Sequence, residues 1–243
     1  MNRRMHNCIF HLFYVPEKGE NKLMNLITES GTMTTTIVAN EDKTKVFETC
    51  RECSGSDELG EAILITLFPT TKNMRMDLSS LHTLNHMEEL GLKKIHFLYL
   101  FGKVCSARLS TRGIVADEEN LSYVEEALLK YKNAKVIIGW GNSMGRSAVA
   151  IDSKKRILAM VQSREDNQLW QLGCAGVDFS ENVHPLFLGI RQGGKHCRWE
   201  LNPYEIPEEL KTTEEDKEPK KQTGNVVAVK RTGRAKQAEK KKK

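Results

Sequence analysis

Short runs of apolar residues alternate with amphipathic segments along the middle of the chain. Three runs, at residues 62–67, 95–100 and 136–138, are rich in Ile, Leu and Val, and a fourth apolar stretch begins at Val183. Each run breaks into a turn marked by proline or glycine. Runs of this length, separated by helical patterns, are typical of buried strands in a parallel sheet. The pattern predicts an α/β domain with a mostly parallel central sheet over residues 34–210.

Two of the intervening helices begin at aspartates. Asp77 is a good N-cap, apolar side chains recur at threefold spacing from Leu78 to Met87, and Gly91 supplies a stop. The second helix begins at Asp117, where the acidic residues that follow suit the positive end of the helix dipole. Its predicted buried face consists of Leu121, Val124, Leu128 and Tyr131.

Weaker patterns complete the predicted domain. A helix over residues 144–162, bent near residues 152–153, precedes a strand at residues 169–173, and residues 34–39 and 44–50 form a hairpin upstream. Right-handed crossovers place helices on both faces of such a sheet, so we expect a three-layer α/β/α sandwich. In such folds ligands bind outside the carboxyl ends of the strands, where the turns lie.

Charge is distributed unevenly along the chain. The formal net charge is +5, but residues 211–243 alone carry +7, which leaves residues 1–210 at −2. This lysine-rich tail has few apolar residues to bury, so it is predicted to be disordered. It either attracts nucleic acid or the ribosome through counterion release or only keeps the protein in solution.

The N-terminal residues also differ from the domain. Residues 1–33 have little periodicity and are predicted to form an extension outside the folded unit, with Met24 and Met33 as alternative starting residues. No apolar run is long enough to predict a membrane span, and the apolar part of the N-terminus is too short for a secretory signal. A cytoplasmic protein without a membrane partner is therefore expected.

The cysteines suggest packing rather than chemistry. Six cysteines without a secretory signal predict reduced thiols instead of a disulfide framework. Cys50 and Cys53 form a C-x-x-C pair, which can provide half of a zinc site or a redox pair, but no second pair completes four ligands. Ordinary packing is the simpler interpretation, so neither a metal nor a cofactor is predicted.

The first strand-end turn carries small polar residues. Thr70, Thr71 and Asn73 precede the helix that Asp77 begins, and backbone amides at a helix start suit a phosphate or another anion. These residues are therefore candidate ligand contacts. Asp77 either faces the same crevice or only caps its helix.

The third turn is rich in glycine. Trp140 lies between two glycines, where it either stacks on a base or plugs the core. Gly141 allows close approach of the backbone, and the amide of Asn142 both donates and accepts hydrogen bonds. All three residues are candidate ligand contacts.

His184 is the best candidate for chemistry. A histidine at a strand end can titrate near neutral pH, donate to a developing negative charge or bind a phosphate, although His-Pro also occurs as a plain turn. Arg191, Lys195 and Arg198 follow around two glycines. They are candidates for a basic lid over an anionic ligand, or they are solvated surface charges.

The order of these motifs resembles the bacterial and phage family called domain of unknown function 1643 (DUF1643). The resemblance covers residues 44–190 and rests on the motifs Leu67-Phe68-Pro69-Thr70, Asp77, Tyr99-Leu100-Phe101, Asp117 to Asn120, Gly139-Trp140-Gly141 and His184 to Leu188. The chain departs from the family at Phe68 and Tyr99, where the family usually has asparagine, and at Thr70, where it has serine. If those asparagines carry the activity of the family, this chain is impaired or altered.

The layout is also similar to that of the uracil-DNA glycosylase superfamily. By this analogy His184 stabilises the charge on a departing base, while Trp140 or Phe68 stacks against the base. Phe68 cannot activate a water molecule, so Asn73 or Asp77 would have to take that role. This is an analogy between folds and not between active sites.

Taken together, the patterns favour a domain that binds a nucleotide or a nucleic acid at the carboxyl edge of its sheet. Hydrolysis of an N-glycosidic bond through His184 is the first alternative. A non-enzymatic protein-binding accessory role, with a degenerate pocket, is the second. The sequence leaves open whether the chain is an enzyme and which oligomeric state it adopts.

Overall fold

The computed structural model describes residues 6–10, 28, 30–54, 58–105, 114–179, 183–192 and 197–211. The strands in these residues are β1 (His6–Phe10), β2 (Gly31–Ala39), β3 (Val46–Cys53), β4 (Gly60–Thr66), β5 (Leu92–Tyr99), β6 (Lys135–Ile138), β7 (Leu169–Cys174) and β8 (Trp199–Pro203). The helices are α1 (Leu78–Asn85), α2 (Glu118–Lys130), α3 (Ala148–Gln162) and α4 (Pro185–Phe187), the last of which continues into a π-helical turn at Leu188–Gln192. A short 3₁₀ turn follows at Glu208–Leu210.

All eight described strands belong to one sheet. Their order is β1-β2-β3-β5-β4-β6-β7-β8. The central strands β5, β4, β6 and β7 run parallel, whereas β1, β2 and β3 at one edge and β8 at the other edge pair antiparallel with their neighbours. The predicted α/β class is confirmed, and the sheet is mixed, with the predicted parallel strands at its centre.

The strand order reverses at β4. The next strand in the chain, β5, lies on one side of β4, and β6 lies on the other side. Right-handed crossovers that run in opposite directions use opposite faces of a sheet, so α1 should lie on one face and α2 and α3 on the other. The contacts agree with this rule, because α2 packs against α3 and α1 packs against α4.

The side chains of β4 alternate between two hydrophobic clusters. Ile63 and Ile65 belong to a cluster that includes residues of α2 and α3, which we call the α2–α3 cluster. Ala62 and Leu64 belong to a second cluster that includes Leu188. None of these four β4 residues has exposed surface. Strand β4 is therefore buried on both faces, as its continuous apolar run predicts.

Several predicted elements are confirmed. Strands β2 and β3 form the predicted hairpin, with Asp42 accepting a hydrogen bond from the amide of Thr44 in its turn. Strand β7 lies where the sequence places it. Helix α2 has Asp117 as its N-cap and buries Leu121, Val124 and Leu128 as predicted.

The predicted bend in α3 is wrong. The helix begins after Ser147 and runs without interruption from Ala148 to Gln162. The hydroxyl of Ser153 donates to the carbonyl of Val149 (2.9 Å), one turn earlier, and Asp152 is exposed. The polar pair at residues 152–153 is thus accommodated within a regular helix.

Helix α1 is shorter than predicted, and only the later half of the predicted apolar stripe packs inward. Leu84 contacts the cluster that includes Leu188, and Met87 is buried. The helix ends at Asn85 rather than near Gly91. Leu78 and Leu81 are 56% and 40% exposed, while Ser80 and Thr83 are buried. A Cβ at Gly189 would overlap the His82 ring, so the segment after α4 lies directly on α1. The buried face of α1 therefore includes Ser80, Thr83 and Leu84 rather than Leu78 and Leu81.

The fourth apolar stretch is not a strand. Val183 is buried, but His184 is the N-cap of α4 and Pro185 lies at the start of that helix. Proline suits this position because it has no amide hydrogen that would need a partner there. The neighbour of β7 is instead β8, which the sequence did not predict.

The predicted extensions are described only in part. Strand β1 pairs with β2, so residues 6–10 belong to the sheet and not to an extension outside the fold. Residues 212–243, which make up nearly all of the predicted tail, lie outside the described residues. In the part of the chain that is described, every helix is too short or too polar to span a bilayer.

The expectation of reduced thiols is wrong for one pair of cysteines. Cys174, at the end of β7, is bonded to Cys197, which precedes β8, with their Cα atoms 5.7 Å apart. The antiparallel pairing of β7 with β8 brings together residues that are 23 positions apart. Among the described residues, Cys50, Cys53 and Cys105 are not part of a disulfide bond.

Adjacent leucines in α2 test this packing. Leu128 is buried in the α2–α3 cluster, whereas Leu129 is 63% exposed. We expect Leu128→Ala to lower the free energy of unfolding by about 2–5 kcal/mol. Leu129→Ala should change it by no more than about 0.5 kcal/mol. Urea denaturation of both variants measures the difference, and equal effects would contradict the orientation of α2.

Candidate functional site

A cleft of about 1220 Å³ adjoins the carboxyl ends of β6 and β7. The loop after β6 contributes Gly141 and Asn142 to its wall. Helix α3 contributes Lys154, strand β7 contributes Gln171, and Pro203 and residues 205–211 are also part of the lining. Open α/β sheets bind ligands outside the carboxyl ends of their strands, so the cleft begins where the topology favours a site.

The loop after β6 has an unusual backbone. Gly141 and Met144 have φ angles of 61° and 67°. This left-handed region suits glycine but is unfavourable for methionine, and such conformations concentrate at functional sites. The loop ends at Ser147, whose hydroxyl accepts a hydrogen bond from the Ala150 amide and caps α3. Helix α3 thereby anchors the loop that presents Asn142 to the cleft.

Lys154 is a buried cation that lines the cleft. Its side chain is only slightly exposed, and its Nζ donates to the carbonyl of Ser143 (3.1 Å). No carboxylate of the described residues forms an ion pair with it. Burial lowers the pKa of Lys154 to about 8, although the charge of Glu209 acts in the opposite direction. The ammonium group therefore has unused capacity to donate hydrogen bonds.

The rim of the cleft is predominantly acidic. Asp178, Glu205, Glu208 and Glu209 line it, against one lysine on the rim, Lys211. The cleft thus combines a buried cation in its wall with carboxylates around it. Such an arrangement suits a small ligand that is anionic at one end and offers hydrogen-bond donors at the other.

The first strand-end turn does not line this cleft. Thr71 donates from its hydroxyl to the carbonyls of Asn73 and Arg75 (both 3.3 Å), so it stabilises the turn itself. Thr70 has a buried hydroxyl that forms no hydrogen bond with the described residues. Asn73 is exposed. The structure therefore separates the first turn from the cleft that Gly141 and Asn142 line.

Asp77 and His184 both cap helices. An Asp77 oxygen accepts a hydrogen bond from the Ser80 amide (2.8 Å), which occupies the helix start where we expected an anion. Nδ1 of His184 accepts from the Leu186 amide (3.1 Å), so Nε2 carries the proton of the neutral ring. Burial lowers the pKa of His184, against the opposing charge of Asp77. His184 is accordingly a neutral imidazole near Asp77.

Trp140 is not available for stacking on a base. It has no exposed surface and belongs to the α2–α3 cluster. Of the two predicted roles, the structure contradicts base stacking and supports the core plug. Lys154 Nζ lies 5.5 Å from the centroid of its ring, within the range of a cation–π contact.

The predicted basic lid is mostly outside the described residues. The side chain of Arg191 and the whole of Lys195 lie outside the described residues, while Arg198 is exposed. The prediction of a lid over an anionic ligand therefore stays a prediction.

A second group of polar side chains is buried between β3, β5 and α2. Nδ1 of His96 lies 2.6 Å from Glu48 Oε1, and Nε2 of His96 lies 2.5 Å from Glu61 Oε1. The hydroxyls of Tyr123 and Tyr131 both donate to Glu48. His96 and Glu48 are almost fully buried. We call these five residues the His96 cluster.

The charges of this cluster depend on one another. Burial lowers the pKa of His96, but the hydrogen bonds and charges of Cys50, Glu48 and Glu61 outweigh that effect and raise it to about 10. Burial likewise opposes ionisation of Glu48, yet its bonds to His96 and Tyr123 lower its pKa overall. A doubly protonated imidazole thus donates to a carboxylate on each side.

Neither Lys154 nor the His96 cluster was predicted from the sequence, although both left a signal there. Lys154 lies on one helical stripe with Ala150 and Leu158, so it interrupts an apolar face at spacing four. His96 is the polar residue inside the apolar run 95–100. In both Lys154 and His96, a charged or titratable residue occupies a position that the hydrophobic periodicity assigns to the core. This pattern identifies the two residues in the sequence.

Comparison of the chain with models of known protein families, with curated proteins and with solved structures finds no match. The resemblance to DUF1643 and the layout of the uracil-DNA glycosylase superfamily therefore stay predictions from the sequence motifs. A function for this chain has to be inferred from the geometry of its described residues.

Two substitutions separate the two predicted roles of Asp77. Asn caps helices as well as Asp does, whereas Ala does not. We expect Asp77→Asn to keep the free energy of unfolding and Asp77→Ala to lower it by about 1 kcal/mol. Urea denaturation measures both. An equal loss in the two variants would show that the negative charge, and not the cap, stabilises this segment.

Proposed function

We propose that this domain binds a nucleotide in the cleft beside β6 and β7, with Lys154 contacting a phosphate group. The observation that carries the proposal is the buried Lys154 ammonium, which lines the cleft and has one backbone acceptor and no carboxylate partner among the described residues. A buried cation is costly unless an anion accompanies it. A bound phosphate supplies that anion.

The glycine-rich loop supports the same placement. Gly141 and Gly145 line the cleft, and they allow a ligand to approach the backbone closely. Left-handed residues in a turn orient successive amides toward one side, which makes a concave site for an anion. Phosphate oxygens are therefore expected between this loop and Lys154.

The acidic rim suits the remainder of a nucleotide. Carboxylates accept hydrogen bonds from ribose hydroxyls and from exocyclic amino groups. Asp178 and Glu205 line the cleft and offer such acceptors. We propose that they bind the sugar or the base.

Charge favours a nucleotide over a nucleic acid. A polymer brings many phosphates past the rim, where Glu205, Glu208 and Glu209 would repel them. A mononucleotide brings its phosphates only to Lys154. We assign any affinity of the full chain for nucleic acid to the lysine-rich residues 212–243.

We propose as the finer description of the fold a three-layer α/β/α sandwich. The support is that β4 divides its side chains between the α2–α3 cluster and the cluster that includes Leu188. We also propose that the layout of this sandwich is similar to that of the uracil-DNA glycosylases.

Hydrolysis of an N-glycosidic bond is the second candidate function. It is favoured by the fixed tautomer of His184, because a neutral imidazole with a proton on Nε2 can donate to a developing anion. Release of free base from nucleotides or from uracil-containing DNA, abolished by His184→Ala, would establish this activity. Ligand binding without base release assigns a binding role instead.

Replacement of Lys154 tests the nucleotide site. Loss of a charged hydrogen-bond donor costs about 1.5–3 kcal/mol, so Lys154→Met should weaken the binding of a nucleoside monophosphate about ten- to a hundredfold. Binding of the corresponding nucleoside, which lacks phosphate, should not change. Isothermal titration calorimetry with AMP, GMP, CMP and UMP and their nucleosides measures both.

The matched control is Lys155→Met, which removes the same charge from the next residue of α3. Lys155 is not among the residues that line the cleft. Nucleotide affinity should also fall as the pH rises from 7 to 9, since the pKa of Lys154 is about 8 and only its protonated form is a cation. Affinity that is unchanged in Lys154→Met, or equally reduced in Lys155→Met, would contradict the proposal.

A further inference from the structure

The positions of Glu48, Cys50 and His96 follow from strand geometry. Glu48 and Cys50 are two residues apart in β3, so their side chains share one face of the sheet. His96 in β5 lies directly opposite Cys50 in the register of the two strands. All three residues are buried, and the Cys50 thiol is free.

Three ligand atoms of different kinds converge at this point. A carboxylate oxygen of Glu48, the sulfur of Cys50 and a ring nitrogen of His96 all lie within 4.8 Å of one another. The closest pair is Glu48 Oε1 and His96 Nδ1, at 2.6 Å. Thiolate, imidazole and carboxylate are the groups that bind zinc in proteins.

The surroundings provide the second layer of contacts that metal ligands need. A histidine that binds a metal through one nitrogen usually donates from the other nitrogen to a carboxylate, which fixes the ring. Here Nε2 of His96 lies 2.5 Å from Glu61 Oε1. The Tyr131 hydroxyl donates to Glu48 (3.0 Å), and its ring stacks on that of His96 with centroids 3.8 Å apart. Nδ1 is therefore the nitrogen that faces the other two ligands.

We propose that Glu48, Cys50 and His96 bind a divalent transition-metal ion of the zinc class. Three protein ligands leave one of the four positions of zinc for water or another group. Glu61, which orients His96, is about one-third exposed and marks the side from which solvent reaches the cluster. The proposal is independent of the nucleotide cleft, which other strands form.

Zinc binding at these ligands is coupled to the release of protons. Without a metal, the proton on Nδ1 of His96 is the positive charge between this ring and Glu48. Zinc takes the place of that proton, because metal ligands bind in their deprotonated forms, so binding releases protons.

The two cysteines of the C-x-x-C motif do not bind the metal together. Cys50 and Cys53 are three residues apart in β3, so they face opposite sides of the sheet. Cys53 packs against the cluster that contains Leu188 and not against His96. Loss of the Cys50 thiol should therefore weaken metal binding, whereas loss of the Cys53 thiol should not. Cys53→Ser is accordingly a matched control for Cys50→Ser.

Zinc titration of the chelator-treated full chain, kept free of oxygen and without a thiol reductant so that the Cys174–Cys197 disulfide stays intact, tests the proposal. We expect one equivalent of Zn²⁺ to bind, with release of protons and a higher melting temperature. Cys50→Ser and His96→Gln should each weaken binding at least tenfold, and Glu61→Gln about ten- to a hundredfold. Cys53→Ser should bind like the wild type.

Cobalt provides a readout of the ligands themselves. Co²⁺ bound by the wild type should show a thiolate-to-metal charge-transfer band, which Cys50→Ser removes and Cys53→Ser keeps. Circular dichroism of the metal-free variants checks their folding. If His96→Gln does not fold, the isosteric variant Cys50→Ser alone decides whether the proposal holds. The proposal is overturned if the wild type binds no zinc, if Cys50→Ser binds it unchanged, or if Cys53→Ser loses as much affinity as Cys50→Ser.

Discussion

Burial of β4 on both faces is the constraint on which the rest of the structure depends. Residues 62–65 have no exposed surface, and burial of each of the larger side chains, those of Ile63, Leu64 and Ile65, contributes about 1.5–3 kcal/mol. The parallel neighbours β5 and β6 satisfy the backbone of β4 on its two edges. The next strand in the chain after β4 lies on one side of β4, and the strand after that lies on the other side. The helices that connect these strands must therefore cover opposite faces of the sheet. The loop after β6, the neighbour of β4, then lines the cleft where a ligand can reach it.

The polar groups of the interior fall into two classes. In the His96 cluster, each ring nitrogen has a carboxylate, and Glu48 also accepts from two tyrosine hydroxyls. Lys154 instead has one backbone acceptor and lies against the ring of Trp140. A network whose members are bonded to one another stabilises the packing around it. A buried cation with few partners is most stable when a ligand supplies an anion, so the two features point to different functions.

Some elements could be predicted because their signal is local. The apolar runs at residues 62–67 and 95–100 and the aspartate caps of α1 and α2 depend on neighbours only a few positions away. Two of the errors occurred where a distant segment decided the outcome. Leu78 and Leu81 follow a helical pattern, but the packing of α1 in the folded chain buries Ser80 and Thr83 instead. The pairing of β8 with β7 likewise positions Cys197 beside Cys174, which spacing along the chain does not indicate.

The sequence by itself determined the α/β class, the central strands and the glycine-rich loop that lines the cleft, because periodicity, caps and turn residues act over short distances. Only the tertiary structure decided that Trp140 is a core residue, that Lys154 faces a cleft, and that Glu48, Cys50 and His96 meet. These arrangements depend on which strands become neighbours and in which register. Strand register joins residues nearly fifty positions apart, and no local pattern contains that information.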